Sequence, residues 1–301
     1  MIAILGGLGA AAAWAISTLC SSRSSRLIDP SSVVAWMMLV GLLITVPAAA
    51  LSGVPARLGP GSGAWLAGSG VGNVVGLVLT YRALRIGQVA LVAPLVSTEG
   101  AVAAVIALIA GEPLAPGVAV TLTAIVAGIW VASAPDRSPV ADRSPVPDRS
   151  PASARAPDPG PAPHPKAAIV LAMAASLAFG VSLYATARAG AELPVSWVVL
   201  SARAIGTVTL AAPLAVTRRL EITRRAMPLV VASGVCEVLG FYSYTTGSRH
   251  GIAVAAVLAS QVGGLAALAA YFAFGERLSR KRTLGVCTML AGVAALSALR
   301  A

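Results

Sequence analysis

Residues 64–81 read AWLAGSGVGNVVGLVLTY, and residues 228–245, 164 positions further on, read PLVVASGVCEVLGFYSYT. Ser69 meets Ser233, Gly70 meets Gly234 and Gly76 meets Gly240 in this register. Extended in both directions, residues 64–133 align to 228–297 without a gap, adding Gly87 with Gly251, Gly100 with Gly264, Gly111 with Gly275 and Gly128 with Gly292. Each window holds nine glycines and six coincide, where chance gives roughly one. Glu112 falls on Glu276, Leu114 on Leu278 and Ser133 on Ser297. Upstream the match is weak, with Ala10-Ala11 over Ala174-Ala175. The chain is an internal duplication.

Composition says what solvent the duplication lives in. Of 301 residues, 57% are hydrophobic and 11% are charged, and the mean hydropathy is +0.85. A soluble protein carries about 25% charged residues, so this chain lacks the polar surface that water requires. Lipid is the solvent that accepts it. A spanning helix needs about 20 mostly apolar residues. Ten segments qualify: 2–21, 33–52, 64–81, 88–110, 117–133, 167–187, 195–216, 227–246, 252–273 and 283–299. The expected fold is an all-α membrane protein of ten transmembrane helices. Abundant Ala and Gly let helix backbones approach closely where lipid supplies no hydrophobic drive.

Between the two halves the sequence changes character. Asp136-Arg137-Ser138-Pro139, Asp142-Arg143-Ser144-Pro145 and Asp148-Arg149-Ser150-Pro151 repeat every six residues. Such Pro-rich, charge-balanced sequence buries no core, and residues 134–166 read as a disordered linker. The expected domains are a first five-helix repeat at 1–133 and a second at 167–301. Five is odd, so the second copy re-enters the bilayer upside down. Two inverted repeats about an axis in the membrane plane are the architecture of secondary transporters, with the binding site at midplane.

The signature Gly111-Glu112-Pro113-Leu114, with its copy Gly275-Glu276-Arg277-Leu278, resembles the motif that closes the fourth and ninth helices of EamA-type transporters of the drug/metabolite transporter superfamily. The stretch Ala90–Leu95, Gly128, Gly292 and Arg203 fit the same family. The resemblance covers the chain apart from the linker. It implies ten helices and export, or sometimes import, of amino acids, metabolites or drugs, coupled to protons or to exchange. Two features depart from relatives: Met38 stands near the position that Arg203 occupies in the second half, and the first helix carries no Glu. The proton mechanism of the small multidrug relatives therefore does not carry over.

Ionisable groups inside spanning helices are costly and are candidates for function. Glu99 lies centrally in the fourth segment, Arg203 in the seventh and Glu237 centrally in the eighth. The repeat register pairs Asn73 with Glu237 and Ser97 with Gln261, so these four are expected to face one another across a central cavity. Two carboxylates against one guanidinium leave a surplus negative charge, which suits a cationic or zwitterionic solute or a carboxylate that exchanges a proton for it. Trp14, Tyr184 and Tyr244 are candidate cavity walls, while Trp65, Trp130 and Trp197 near helix ends read as interfacial anchors. Glu112 and Glu276 read as caps at the start of the next helix, at its positive dipole end. The three cysteines have neither disulfide nor metal spacing, and His164 and His250 form no catalytic cluster. The chain is therefore read as no enzyme, with neither cofactor nor metal.

A net charge of +11 would point to nucleic acid in a soluble domain, but here the charges punctuate apolar runs. Loops after odd-numbered segments hold Arg23, Arg26, Arg82, Arg85, Arg218, Arg219, Arg224, Arg225, Arg277, Arg280, Lys281 and Arg282, besides five basic residues of the linker. The opposite side holds Arg57, Arg188, Arg249 and Arg300. The positive-inside rule then puts the odd loops in the cytoplasm and both termini outside, whereas the family resemblance implies cytoplasmic termini. The expected setting is the inner membrane, as a monomer or homodimer whose partners are lipid, a small-molecule substrate and protons, and not nucleic acid.

Overall fold

A computed structural model describes residues 1–86, 92, 95–133 and 165–262, with single positions between 265 and 299. The linker up to residue 164, most of the tenth segment and of the second part of the ninth, the Glu276 motif and most of Ala90–Leu95 lie outside the described residues. Within them the chain is helical: α1 (Ile2–Ser24), α2 (Pro30–Leu51), α3 (Pro60–Ile86), α4 (Glu99–Ile109), α5 (Pro116–Ser133), α6 (Pro165–Glu192), α7 (Val195–Val216), α8 (Met227–Ser248) and α9 (Ile252–Ala259). Six of them, α1, α2, α3, α6, α7 and α8, are long and apolar enough to cross a membrane. Large apolar side chains point outward, among them Leu43 at 72% and Ile109 at 83% exposure, as a lipid-facing surface requires.

Glycines set the packing. α1 runs against α8, where a Cβ on Gly9 would lie 2.8 Å from Ser243 Oγ, and Gly6 lies against Gly247. α3 runs against α6, where a Cβ on Gly72 would lie 2.8 Å from the Ala178 carbonyl and one on Gly76 2.6 Å from the Phe179 ring. Both pairs are antiparallel, since rising numbers on one helix meet falling numbers on the other. Hydroxyls lock each pair: Ser17 and Ser233 lie 2.9 Å apart in the first, Ser69 and Thr186 2.6 Å apart in the second. Hydrogen bonds between membrane helices contribute about 0.6 kcal/mol each, up to ~1.7.

The packing pattern survives exchange of the halves. α1 on α8 corresponds to α6 on α3, α2 on α8 to α7 on α3, and α1 on α9 to α6 on α4. The pairs α2 on α7 and α4 on α9 map onto themselves. Every one of these pairs joins one half to the other.

Two elements differ from the expected continuous spans. The fourth segment turns at Ser97-Thr98 before α4 begins at Glu99, and α9 ends in a turn at Ser260-Gln261. Helix α7 widens into a π turn at Thr207–Ala211, with Ala212 N–H reaching back to the Thr207 carbonyl. Pro213 accounts for it: its ring would press on the carbonyl of Thr209 in a regular α-helix, and an extra residue in the turn relieves that clash.

Candidate functional site

Arg203 is the most deeply buried charge of the described chain, with 0% exposure. It can lie on α7 because α2 offers Gly41 opposite: a Cβ there would sit 2.7 Å from Arg203 Cδ. The guanidinium lies over the Phe241 ring at 4.6 Å and donates through Nη1 to Met38 Sδ at 3.3 Å. Its Nη2 is 3.5 Å from Glu237 Oε1 on α8. Ser17 on α1 donates to Glu237 Oε2 at 3.4 Å, and Ser21 joins Ser233 at 2.7 Å beside it. An isolated charge this deep would cost several kcal/mol, and the pair with its hydroxyls offsets that cost. Four helices, α1, α2, α7 and α8, thus meet at one charge pair inside the bundle.

The two helix breaks meet each other. A Cβ on Gly100 would lie 2.5 Å from Ser260 Oγ, so the start of α4 crosses the end of α9 at the turns. Carbonyls freed there are taken up locally: Thr98 Oγ1 donates to Leu95 O at 2.7 Å and Ser260 Oγ to Val257 O at 2.9 Å. Thr98 also bonds Ser176 on α6 at 2.8 Å. Glu99 is therefore the first residue of a half-helix, not the centre of a continuous one, and it lies within electrostatic reach of Glu237. Ser97 and Gln261, paired by the repeat, both occupy the turns. Gln261 is buried, and its Nε2 has no hydrogen-bond partner among the described residues.

Asn73 is buried on α3, and its Nδ2 likewise has no partner among the described residues. The aromatic candidates divide. Tyr244 is fully buried and its hydroxyl donates to the Leu183 carbonyl at 2.9 Å, which ties α8 to α6. Trp14 stacks edge-on against Phe241 at 5.4 Å, its indole lying where a side chain on Gly240 would go. Tyr184 lines a cavity of about 350 Å³ with Glu112, Arg188 and Arg249. A second cavity of about 430 Å³ opens between α2, α3 and α7 at the opposite end of the bundle, lined by Leu77, Val78, Tyr81, Leu210 and Leu214, with Asp29 and Arg82 at its mouth. Tyr81 lies within electrostatic reach of Glu237.

Glu112 corrects one expectation. Its carboxylate accepts from the Ala253 N–H at 3.2 Å, so it caps α9 in the other half rather than the helix that follows it. Gly111, with φ at +92°, closes α4 by sending Glu112 N–H back to Ala107 O at 3.0 Å and its own N–H to Leu108 O at 3.0 Å. Glycine takes that backbone region freely, and the turn then aims the next side chain across the bundle. Ser17, Ser21 and Ser233, which surround the Glu237 carboxylate, were missed by sequence reasoning. Only Ser233 carried a signal, its match with Ser69.

A model of the EamA-like transporter family matches residues 1–134 and again 166–298. None of the curated proteins compared matches the chain. Among solved structures 25 chains match. One, the crystal structure of a protein 20% identical in sequence, superposes with a TM-score of 0.75 over 99% of this chain and 96% of its own. At that identity it shows a shared fold alone. With 1–134 and 166–298 both matched, the chain belongs to the EamA-like transporter family and is a multi-pass membrane transporter, not an enzyme.

Proposed function

We propose that the chain is a ten-helix secondary transporter that moves a small metabolite, amino acid or drug-like solute by alternating access between two inverted five-helix repeats. Domain limits at 1–133 and 167–301 follow from the repeat register. Support for inversion comes from direction. α1 and α3 run the same way if successive spans alternate, and α8 runs against α1. The counterparts α3 and α8 are then opposed. The observation that carries the reading is the Arg203–Glu237 pair inside the bundle, with Glu99, at a helix break, within electrostatic reach of Glu237. Charges held in lipid at the junction of two moving bodies are costly for a passive scaffold and useful to a carrier. One surplus carboxylate suits a cationic or zwitterionic solute, or a proton traded for it. Export through the inner membrane is the direction and setting that the family resemblance implies.

The test is solute flux into proteoliposomes, comparing the parent chain with Glu237→Gln and Glu99→Gln. Loss of flux in either variant, with the protein still folded and inserted, is the expected result. Unchanged flux in both removes these residues from the site.

A further inference from the structure

We infer that the end of the larger cavity nearest the midplane is a carboxylate subsite, formed by Arg203, Thr207 and Asn73. The inference rests on the transport reading and narrows its solute to one that carries a carboxylate on an apolar body.

Three buried groups there have donors to spare. Arg203 Nε, Thr207 Oγ1 and Asn73 Nδ2 have no hydrogen-bond partner among the described residues, while Arg203 Nη2 is committed to Glu237 at 3.5 Å. Buried polar atoms in native proteins are almost always paired, so each exception needs a reason. Their positions supply one. Arg203 and Thr207 are one turn apart on α7. On α3, Gly70 meets Ile205, as a Cβ there would lie 2.5 Å from Ile205 Cδ1, and Leu77 packs in the Met38 cluster with Leu210. Asn73 lies between them on the same stripe, which sets it level with Thr207.

All these groups can donate, and Arg203 and Asn73 Nδ2 can do nothing else. An acceptor-rich anionic group is what satisfies such a set, and a carboxylate offers each donor a charge-assisted bond. The cavity of about 430 Å³ ends one turn from the same residues, since Leu77 follows Asn73 by four and Leu210 follows Thr207 by three. Its Leu77, Val78, Leu210 and Leu214 walls suit an aliphatic or aromatic body. A solute that is only a cation leaves every donor unmet, so the subsite separates zwitterions and carboxylates from cationic drugs.

The experiment measures binding to the purified full chain with three probes of one shape: leucine, leucinamide, which lacks the carboxylate, and 4-methylpentanoate, which lacks the amine. Leucine should bind, 4-methylpentanoate should bind more weakly because it brings no amine to the Glu237 carboxylate beside Arg203, and leucinamide should not bind. Thr207→Val and Asn73→Leu should each weaken leucine about tenfold, with Thr207→Ser restoring it and the ligand-free melting temperatures little changed. Equal binding of leucinamide and leucine overturns the subsite, as does binding of no probe or unchanged affinity in both variants. Flux in proteoliposomes separates the two readings. Leucine bound but not moved keeps the subsite and removes transport of that solute. Leucinamide moved in preference to leucine keeps transport and removes the subsite.

Discussion

Arg203 and Glu237 can be buried because each is the other's counter-charge. Arg203→Met leaves a carboxylate without its cation, and about 3–5 kcal/mol is lost when one member of a buried pair is removed. Arg203→Met with Glu237→Met removes both charges and should recover most of that stability while abolishing flux. Thermal unfolding in detergent alongside proteoliposome uptake checks it, and a double variant less stable than the single one would show that the pair is not the unit. A smaller test concerns Gly240, against which the Trp14 indole lies. Gly240→Ala should cost about 1–3 kcal/mol through overpacking, and Trp14→Leu in the same chain should return part of it, because contacting residues are not additive.

Arg203, Glu237 and Glu99 were legible in the sequence because a charge in a spanning segment stands out against lipid. Asn73 and Gln261 were legible only through the repeat register, and both turn out to be buried with an unpaired amide nitrogen among the described residues. Ser17, Ser21 and Thr207 were not legible. A hydroxyl on a membrane helix is commonplace, usually satisfied by its own backbone as Thr45 is by the Gly41 carbonyl at 2.8 Å, so its type alone says nothing.

At the scale of elements, the Gly-Glu signature acquires a mechanism. Gly111 ends α4 and Glu112 reaches the first turn of α9, so one dipeptide terminates a helix in one half and caps a helix in the other. Glu112→Ala should destabilise the chain by about 1 kcal/mol, the worth of a lost N-terminal cap. Glu112→Gln keeps an acceptor oxygen and should cost less. Melting temperatures order the three chains; equal values for Ala and Gln would mean that the carboxylate does not act through the cap. The π turn precedes Pro213, but it was not readable from that residue type alone, since Pro47 sits within a regular α2. The breaks at Ser97-Thr98 and Ser260-Gln261 were not readable either, because a hydropathy window averages over two polar residues in an apolar run and neither break contains proline.

At the scale of the whole molecule, the most extensive helix contacts among the described residues cross from one half to the other. A rocking of one half on the other must pass through the α1–α8 and α3–α6 seams. The same symmetry makes the two ends of the bundle alike in shape but not in charge. Arg23, Arg26, Arg82, Arg218, Arg219, Arg224 and Arg225 cluster at one end. At the other, Arg249 is committed to the carbonyls of Gly190 and Leu193, at 2.7 and 3.0 Å, and Arg188 lies over the Trp65 ring at 5.7 Å. Two of the four basic residues on that side are thus engaged locally, and most of the basic charge stands at the first end. The positive-inside rule then sets Arg218–Arg225 inside and both termini outside. An alkaline phosphatase fused after Ala301 should be active and a fluorescent protein fused there should be dark, with the reverse at a fusion within residues 217–226. A bright fluorescent fusion at Ala301 would invert the molecule, and the cavity beside Asp29 and Arg82 would then open away from the cytoplasm rather than into it.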